Sequence, residues 1–487
     1  MRIINCYRKA VGGIANTYLC NIELTLKQNK MKTKLLFAFL FSLCILLRTV
    51  STAQVIAAGA AHSIFLCLDS TVWSCGFNAS GQLGVGDTID RSTPIAISGL
   101  AGSGVISIAG GNRHSLFVKN DGTVWASGFN NYGQLGDGTT IDRWIPVQVS
   151  GLTGITGASG EAYRSVFLKN DSTIWICGSG IGTAPVQMAG ISSVIAIASG
   201  IGHSLFVKSD GTAWARGANA YGQLGNGTTT GSTTPVQVTG LSGIISVAAG
   251  DEVSYFLRND GTVWACGRND FGQLGNDGNF TFSPTPIPVQ VLNVTGITKI
   301  SAGYYHALFL KNDGTVWACG KGASGQLGNG LGFNLDTAIL INTLMPNCNQ
   351  VVGGGSYSFF TITNATVWAC GTNLNGQYGN GTLISSYSPL QVTGLCQIMT
   401  GVEKGNFVSS INLFPNPTTN HFTIVLASSN KIVEVNIYDI AGKIIYKTTA
   451  IEKQKIEVNT KDFEEGFYVV QIQAADFIET KKLIVVK

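Results

Sequence analysis

Two residue types capable of metal and redox chemistry recur at fixed places. Cys75, Cys177, Cys266, Cys319 and Cys370 each stand two residues after a Trp, and His62, His114, His203 and His306 each stand three residues before a Phe. Thiolates and imidazoles in register are what a zinc ring would need. The pattern is broken, however. Ser127 and Arg216 replace the thiol in two copies, Arg164, Val253 and Tyr357 replace the imidazole in three, and no HxxxH or HExxH spacing occurs. Equivalent positions of neighbouring repeats also stand too far apart for a disulfide, which needs Cα atoms within about 7 Å. These cysteines are therefore expected to be buried free thiols, and the histidines packed and hydrogen-bonded. Cys67, Cys348 and Cys396 are outside the register, and local pairing among them is left open.

Other catalytic constellations are missing as well. No nucleophile elbow and no Ser–His–Asp order can be assembled. The glycine-rich stretches such as Gly133-Gln134-Leu135-Gly136 lack the Lys of a phosphate loop. The Asp-Gly turns lack the alternating carboxylates of a calcium loop. The expectation is a non-enzyme with no cofactor and no metal. What remains is recognition. Just before the His-type position the copies carry Asn112-Arg113, Ala162-Tyr163, Asp251-Glu252 and Tyr304-Tyr305. A frame held constant while its turns change is what a binding surface needs, and Tyr, Trp and Arg are favoured at interface hot spots. The candidate binding face comprises Arg113, Trp144, Tyr163, Asp251, Glu252, Tyr304 and Tyr305, with Trp144 read as part of a connecting loop. The alternative is that these turns vary because nothing constrains them.

The elements that hold these residues follow from a repeat. Trp73, Trp125, Trp175, Trp214, Trp264, Trp317 and Trp368 are 52, 50, 39, 50, 53 and 51 residues apart, and a Phe precedes each by eight (Phe65, Phe117, Phe167, Phe206, Phe256, Phe309, Phe360). Each unit reads as four short strands. In the second, Val105–Ala109 leads through Gly110-Gly111 to His114–Lys119. Asn120-Asp121-Gly122 then turns the chain back, as tight hairpins do. Thr123–Gly128 returns, and a fourth strand lies around Val147-Gln148-Val149. The connection before it carries Gly-Gln-Leu-Gly in five copies and Gly376-Gln377-Tyr378-Gly379 in the seventh, and the third copy lacks it. Its glycines permit sharp bends, its Gln is expected to bond backbone amides, and its Leu to plug the neighbouring unit. Four-stranded units cannot bury both faces alone, and seven around an axis can. Phe and Trp then form the core between units, with the indole N–H finding a local acceptor.

Composition agrees with many short strands: of 487 residues 62 are Gly and only 12% are charged. The net charge of +4 comes from residues 1–53, which hold eight Lys/Arg and one acidic residue. The other 434 residues carry 23 basic and 26 acidic side chains. No basic stripe survives, and a nucleic-acid partner is not expected. Residues 1–30 read as a non-structural upstream leader. Residues 31–53 read as a signal peptide, with Lys32 and Lys34, the apolar run Leu35–Leu47, and small residues Ser51-Thr52-Ala53 before Gln54.

The pattern in Ala109–Gly138 resembles the regulator of chromosome condensation (RCC1) repeat, and residues 54–407 are read as a seven-bladed all-β propeller of that kind. Val55–Ala58 is expected to pair near Gln397–Thr400 to close the ring. The nuclear member's action on a small GTPase and its chromatin binding do not transfer, since the basic arms are absent. Residues 408–487 resemble the type A C-terminal sorting domain of the type IX secretion system. The resemblance rests on Pro415–Pro417, Tyr438-Asp439 with Gly442-Lys443, Gly466-Phe467-Tyr468 and a Lys-rich final strand. It implies a small immunoglobulin-like β-sandwich that engages the secretion machinery. The protein would then be secreted, or held on the outer-membrane surface of a Bacteroidetes-type bacterium. The expected product is a monomeric module binding an unidentified protein or glycan. A structural spacer in a surface layer, or a propeller hydrolase or lyase, are the alternatives.

Overall fold

The computed structural model describes residues 56–67, 70–100, 104–278, 280, 283–341, 347–362, 366–395, 411–414, 418–426, 432–439, 443–451, 455–473 and 478–486. The leader, the signal peptide, Cys396, Gln397–Thr400, Pro415–Pro417 and Gly442 lie outside them. The chain divides between residues 401 and 402 into two compact units, each described by itself.

In the first unit the described residues form seven four-stranded sheets, each built from four consecutive strands in sequence order. The second blade is typical, with strands Val105–Gly110, His114–Lys119, Val124–Gly128 and Arg143–Gln148, all antiparallel. Its central hairpin pairs Phe117 with Trp125. The turn is held by Asp121, whose carboxylate accepts the amide of Thr123 at 2.9 Å, and Gly122 supplies a φ of +78°. The fourth strand starts earlier than its apolar residues suggest, because Arg143 pairs with Gly128 across a bulge.

First strands of all seven blades line an axial cavity of about 630 Å³. At one end it is pinched by backbone packed against backbone: a Cβ on Gly160 would lie 2.6 Å from Gly111 Cα. The core sits between blades. Each blade's Phe is buried in the cluster of the blade before it, Phe117 among Ile64, Leu66 and Val72, and Phe256 among Leu205, Val207 and Ala213. Phe65 closes the circle among seventh-blade residues Phe359, Val367 and Ala369. Each Trp is half-buried beside its blade's Phe, and the indole N–H of Trp73, Trp175, Trp214 and Trp368 donates to a Thr two residues earlier.

Among the described residues no strand is shared across the join between last and first blades. Ile56–Ala58 pairs with His62–Leu66 inside its own blade. Across the join, Tyr357 Oη donates to the carbonyl of His62 at 2.6 Å, Ser63 Oγ to that of Gln377 at 2.7 Å, and the amide of Gly381 to that of Ser92 at 2.8 Å.

The recurring polar residues are the fasteners of these seams. Ser115 Oγ donates to the Gln82 carbonyl at 2.7 Å and accepts from His62 Nε2 at 3.0 Å. The hydroxyl hydrogen is spent on the carbonyl, so the imidazole must carry its proton on Nε2. His114–Ser165, His203–Ser254 and His306–Ser358 repeat the arrangement at 2.9, 2.9 and 2.8 Å. Burial depresses the imidazoles to about 4 (His62, His203) or about 3 (His114, His306), so they are neutral. The thiols of Cys75, Cys177, Cys266, Cys319 and Cys370 reach the same Gln carbonyls at 3.5–3.7 Å, and burial pushes Cys177 up to about 12. Where the fifth blade carries Val253, the sixth carries Ala307 in place of the Ser, and Tyr255 Oη takes over the Gln273 carbonyl at 2.6 Å. Cys348 is a free thiol donating to the Gln350 carbonyl at 3.1 Å. Cys67 is disulfide-bonded, and the other described cysteines are free.

The second unit holds two antiparallel sheets. One contains Ile411–Phe414, His421–Leu426 and Lys455–Asn459, the other Ile432–Tyr438, Ile444–Ile451, Gly466–Gln473 and Ile478–Val485. Phe422, Ile424, Val435, Ile437, Val470 and Leu483 make one core between them.

Candidate binding face

At the pinched end two kinds of loop meet: the turn between first and second strands, and the segment leaving the third strand. Backbone bonds join them within each blade: Phe129 N to Arg113 O at 2.8 Å, Arg268 N to Glu252 O at 2.9 Å, Lys321 N to Tyr305 O at 2.8 Å. Turns are also bonded to one another around the mouth, Asp251 N to Tyr304 O at 2.9 Å and Tyr304 N to Gly355 O at 3.2 Å. The outgoing segment is fixed by its own Gln, whose Oε1 accepts the amide two residues back (Tyr132 N at 3.1 Å, Phe271 N at 2.8 Å). An Asn opening the loop completes the frame: Asn130 Oδ1 accepts the Leu135 amide at 2.9 Å.

The seven sequence-derived candidates separate into two groups and one outlier. Tyr163 is exposed and tilts against exposed Tyr132 with ring centroids 4.7 Å apart, and Tyr132 in turn meets Phe129 at 6.2 Å. Exposed Arg113 stands over Phe77 at 5.7 Å, and Arg113, Phe129, Tyr132 and Tyr163 line one shallow depression. The second group is built around Arg268. Its guanidinium bonds Glu252 at 2.8 Å and Asp270 at 2.5 Å, and faces the rings of Tyr221 (5.1 Å), Tyr305 (5.3 Å) and Phe271 (5.8 Å). Lys321 lies over Phe271 at 5.1 Å and Tyr305 at 5.4 Å. Tyr305 donates to Asp251 at 2.6 Å.

The hydrogen bonds that Arg268 donates to Asp270 and Glu252 raise it above its ordinary value, so the cation is permanent. Burial raises Asp251 against the opposing Tyr305 hydroxyl and Arg268 charge, and raises Glu252 against its Arg268 bond. Tyr304 is half-buried at the mouth, its hydroxyl pushed up by burial and without a hydrogen-bond partner among the described residues. Trp144 is the outlier. It lies in the outer strand Arg143–Gln148, not in a connecting loop, and packs against Gly81 of the preceding blade. The loop reading failed because the strand begins with polar and aromatic residues ahead of its apolar ones.

Sequence reasoning missed Tyr132, Tyr221, Phe271, Arg268 and Lys321. A signal existed: the residue before Gly-Gln-Leu-Gly changes from copy to copy (Ser80, Tyr132, Tyr221, Phe271, Ser324) just as the turns do. Rigid aromatic faces around a carboxylate-clamped cation suit stacking on a planar or apolar ligand face, with hydrogen bonding at its edge.

Known families match both units. The RCC1-like domain profile covers residues 181–433, and RCC1 repeat profiles cover 69–118 and 121–167, and 54–82 and 105–134. The secretion system C-terminal sorting domain covers 412–486. The ultraviolet-B receptor UVR8 of Arabidopsis thaliana is 28% identical over 364 residues, 74% of this chain and 62% of the receptor. The chain thus spans less than two thirds of that relative's length. Human RCC2 is 42% identical over 83 residues, 17% of this chain and 16% of RCC2. Among solved structures, Prp20p of Saccharomyces cerevisiae aligns with a TM-score of 0.62 at 19% identity, covering 72% of this chain and 90% of that one. Human WBSCR16 gives 0.60 at 21%, covering 66% and 94%. Those two likenesses carry the fold alone, while the profile spanning 181–433 carries descent: the chain belongs to the RCC1-like domain family and bears a secretion-system sorting tail.

Proposed function

We propose that this chain is an exported binding module that holds a protein or glycan through the pinched face of its propeller. The observation that carries the reading is the pair of aromatic groups on that face, Tyr132–Tyr163 and the rings around Arg268, set on loops whose backbone is pinned blade by blade. An exposed Tyr pair, and half-buried Tyr rings around a fixed Arg, are the residue types of interface anchors. The sorting tail supports secretion or display at the surface of a Bacteroidetes-type cell, so the ligand is sought outside the cytoplasm.

The test is a glycan array and a set of extracellular proteins probed with the full chain, followed by titration of any hit. A saturable ligand is expected, weakened at least about tenfold, or about 1.4 kcal/mol, by Tyr132→Ala with Tyr163→Ala at an unchanged melting temperature. If hits bind the double variant as tightly as the parent, or no ligand saturates, the face is no recognition surface and the spacer reading takes its place.

A further inference from the structure

The third blade lacks the loop that the other blades wedge into the seam with their successor. Its third strand ends at Gly178 and its outer strand begins at Gly182. Three residue types change together around the gap. Glu161 stands where the other blades have Gly (Gly59, Gly111, Gly200, Gly250, Gly303, Gly354), Arg164 stands at the His position, and Arg216 in the fourth blade stands at the thiol position. With no Gln carbonyl to receive it, Ser204 Oγ donates to Glu161 instead.

The charges in this seam do not balance. The Glu161 side chain is 2% exposed, and its carboxylate is used up by Ser204 on one oxygen and Arg164 Nη1, at 3.1 Å, on the other. Arg164 Nε donates to the Ser179 carbonyl at 2.7 Å. Arg216 is only 6% exposed, yet its one hydrogen bond among the described residues runs from Nε to the Thr233 carbonyl at 3.2 Å. Both of its Nη groups are left without an acceptor among those residues. Two guanidiniums thus stand near one carboxylate that pairs with Arg164 alone, and burial together with the Arg164 charge lowers Arg216 against the pull of Glu161. A buried guanidinium is expected to be paired, and its planar fork suits a two-oxygen partner. The rim of the gap is open, since Gly180, Gly182 and Ala218 are exposed.

We propose that the seam between third and fourth blades is an oxyanion site, where Arg216 and Arg164 together receive one carboxylate or phosphate group at the open rim beside the missing loop. It is separate from the aromatic groups and does not depend on the reading given to them. An acidic side chain of a bound protein and free phosphate present the same chemistry, and the assay separates them.

The melting temperature of the full chain is followed against acetate and against inorganic phosphate, each at constant ionic strength balanced with sodium chloride. At least one anion is expected to raise it saturably. Arg216→Met is expected to abolish the rise, and Arg164→His, the type found at four equivalent positions, to raise the half-saturating concentration at least tenfold. A response to acetate assigns the site to carboxylates; a response to phosphate alone assigns it to phosphate. Indifference to both anions overturns the proposal, as does an equal rise in Arg216→Met. Should that variant not fold, an unchanged half-saturating concentration in Arg164→His overturns it.

Discussion

Four neutral imidazoles buried at blade seams make the propeller sensitive to acid. His62, His114, His203 and His306 titrate near 6.5 in the unfolded chain and at about 3 to 4 when folded. Between those values the unfolded chain binds protons that the folded one refuses, so stability is present above pH 6.5 and is lost as pH falls towards about 4. Each histidine is worth up to about 1.4 kcal/mol per pH unit in that window. A melting temperature dropping steeply from pH 6.5 to 4.5 is expected, a range above that of the exposed turn aspartates, whose hydrogen bonds lower them further. A curve flat across the window would mean that the imidazoles are wet in solution. The arrangement was half legible in the sequence. The broken register of His62, His114, His203 and His306 excluded a ring of ligands, whereas the Ser of the next blade as partner could not be read from one copy.

Within a blade, the Gly-Gln-Leu-Gly loop offers a measurement of backbone strain against packing. Gly227 has φ +81° and nothing within 4 Å of where a Cβ would stand, whereas at Gly225, with φ +64°, a Cβ would meet Cys266 Sγ at 3.0 Å and Val238 Cγ1 at 2.9 Å. Gly227→Ala is expected to cost about 1 kcal/mol, the conformational part alone, and Gly225→Ala about 2–3 kcal/mol, once the overpacking adds to it. Equal losses on urea unfolding would show that the seam yields freely at the thiol. Element existence was legible throughout, since Phe and Trp at fixed spacing define the central hairpin of every blade and Asp-Gly marks its turn in four of them. Boundaries were less so. The outer strand Arg143–Gln148 opens with polar residues held by pairing across a bulge, a tertiary fact that periodicity cannot carry, and Trp144 was misplaced with it. The face was legible where turns differ and missed at Tyr132, Tyr221 and Phe271, because their loop was read as constant frame.

For the whole propeller the join between seventh and first blades is the point of closure. Tyr357, at the position of the histidines, binds the His62 carbonyl and packs edge-on to Phe359, which meets Phe65 edge-on across the join. Tyr357→Phe removes only the hydroxyl, and the His62 carbonyl keeps the Gly59 amide at 2.8 Å, so the loss is that of one hydrogen bond, about 0.5–1.5 kcal/mol. The loss is expected to lower the single transition of the ring as one, read by circular dichroism and by tryptophan fluorescence. Separate transitions by the two probes would mean that the blades unfold piecemeal, as repeat arrays with weak coupling do.

Each blade owns all four of its strands, and the join is made of the same kinds of contact as the other seams. No strand crosses from one end of the ring to the other within the described residues. The order of blades around the circle is therefore fixed by which seam chemistry meets which, and hardly at all by where the polypeptide enters. A circular permutant opened between any two blades, with the old ends tethered, would keep every interlock intact. For the same reason, a gene built from such units can rotate its starting point by whole blades.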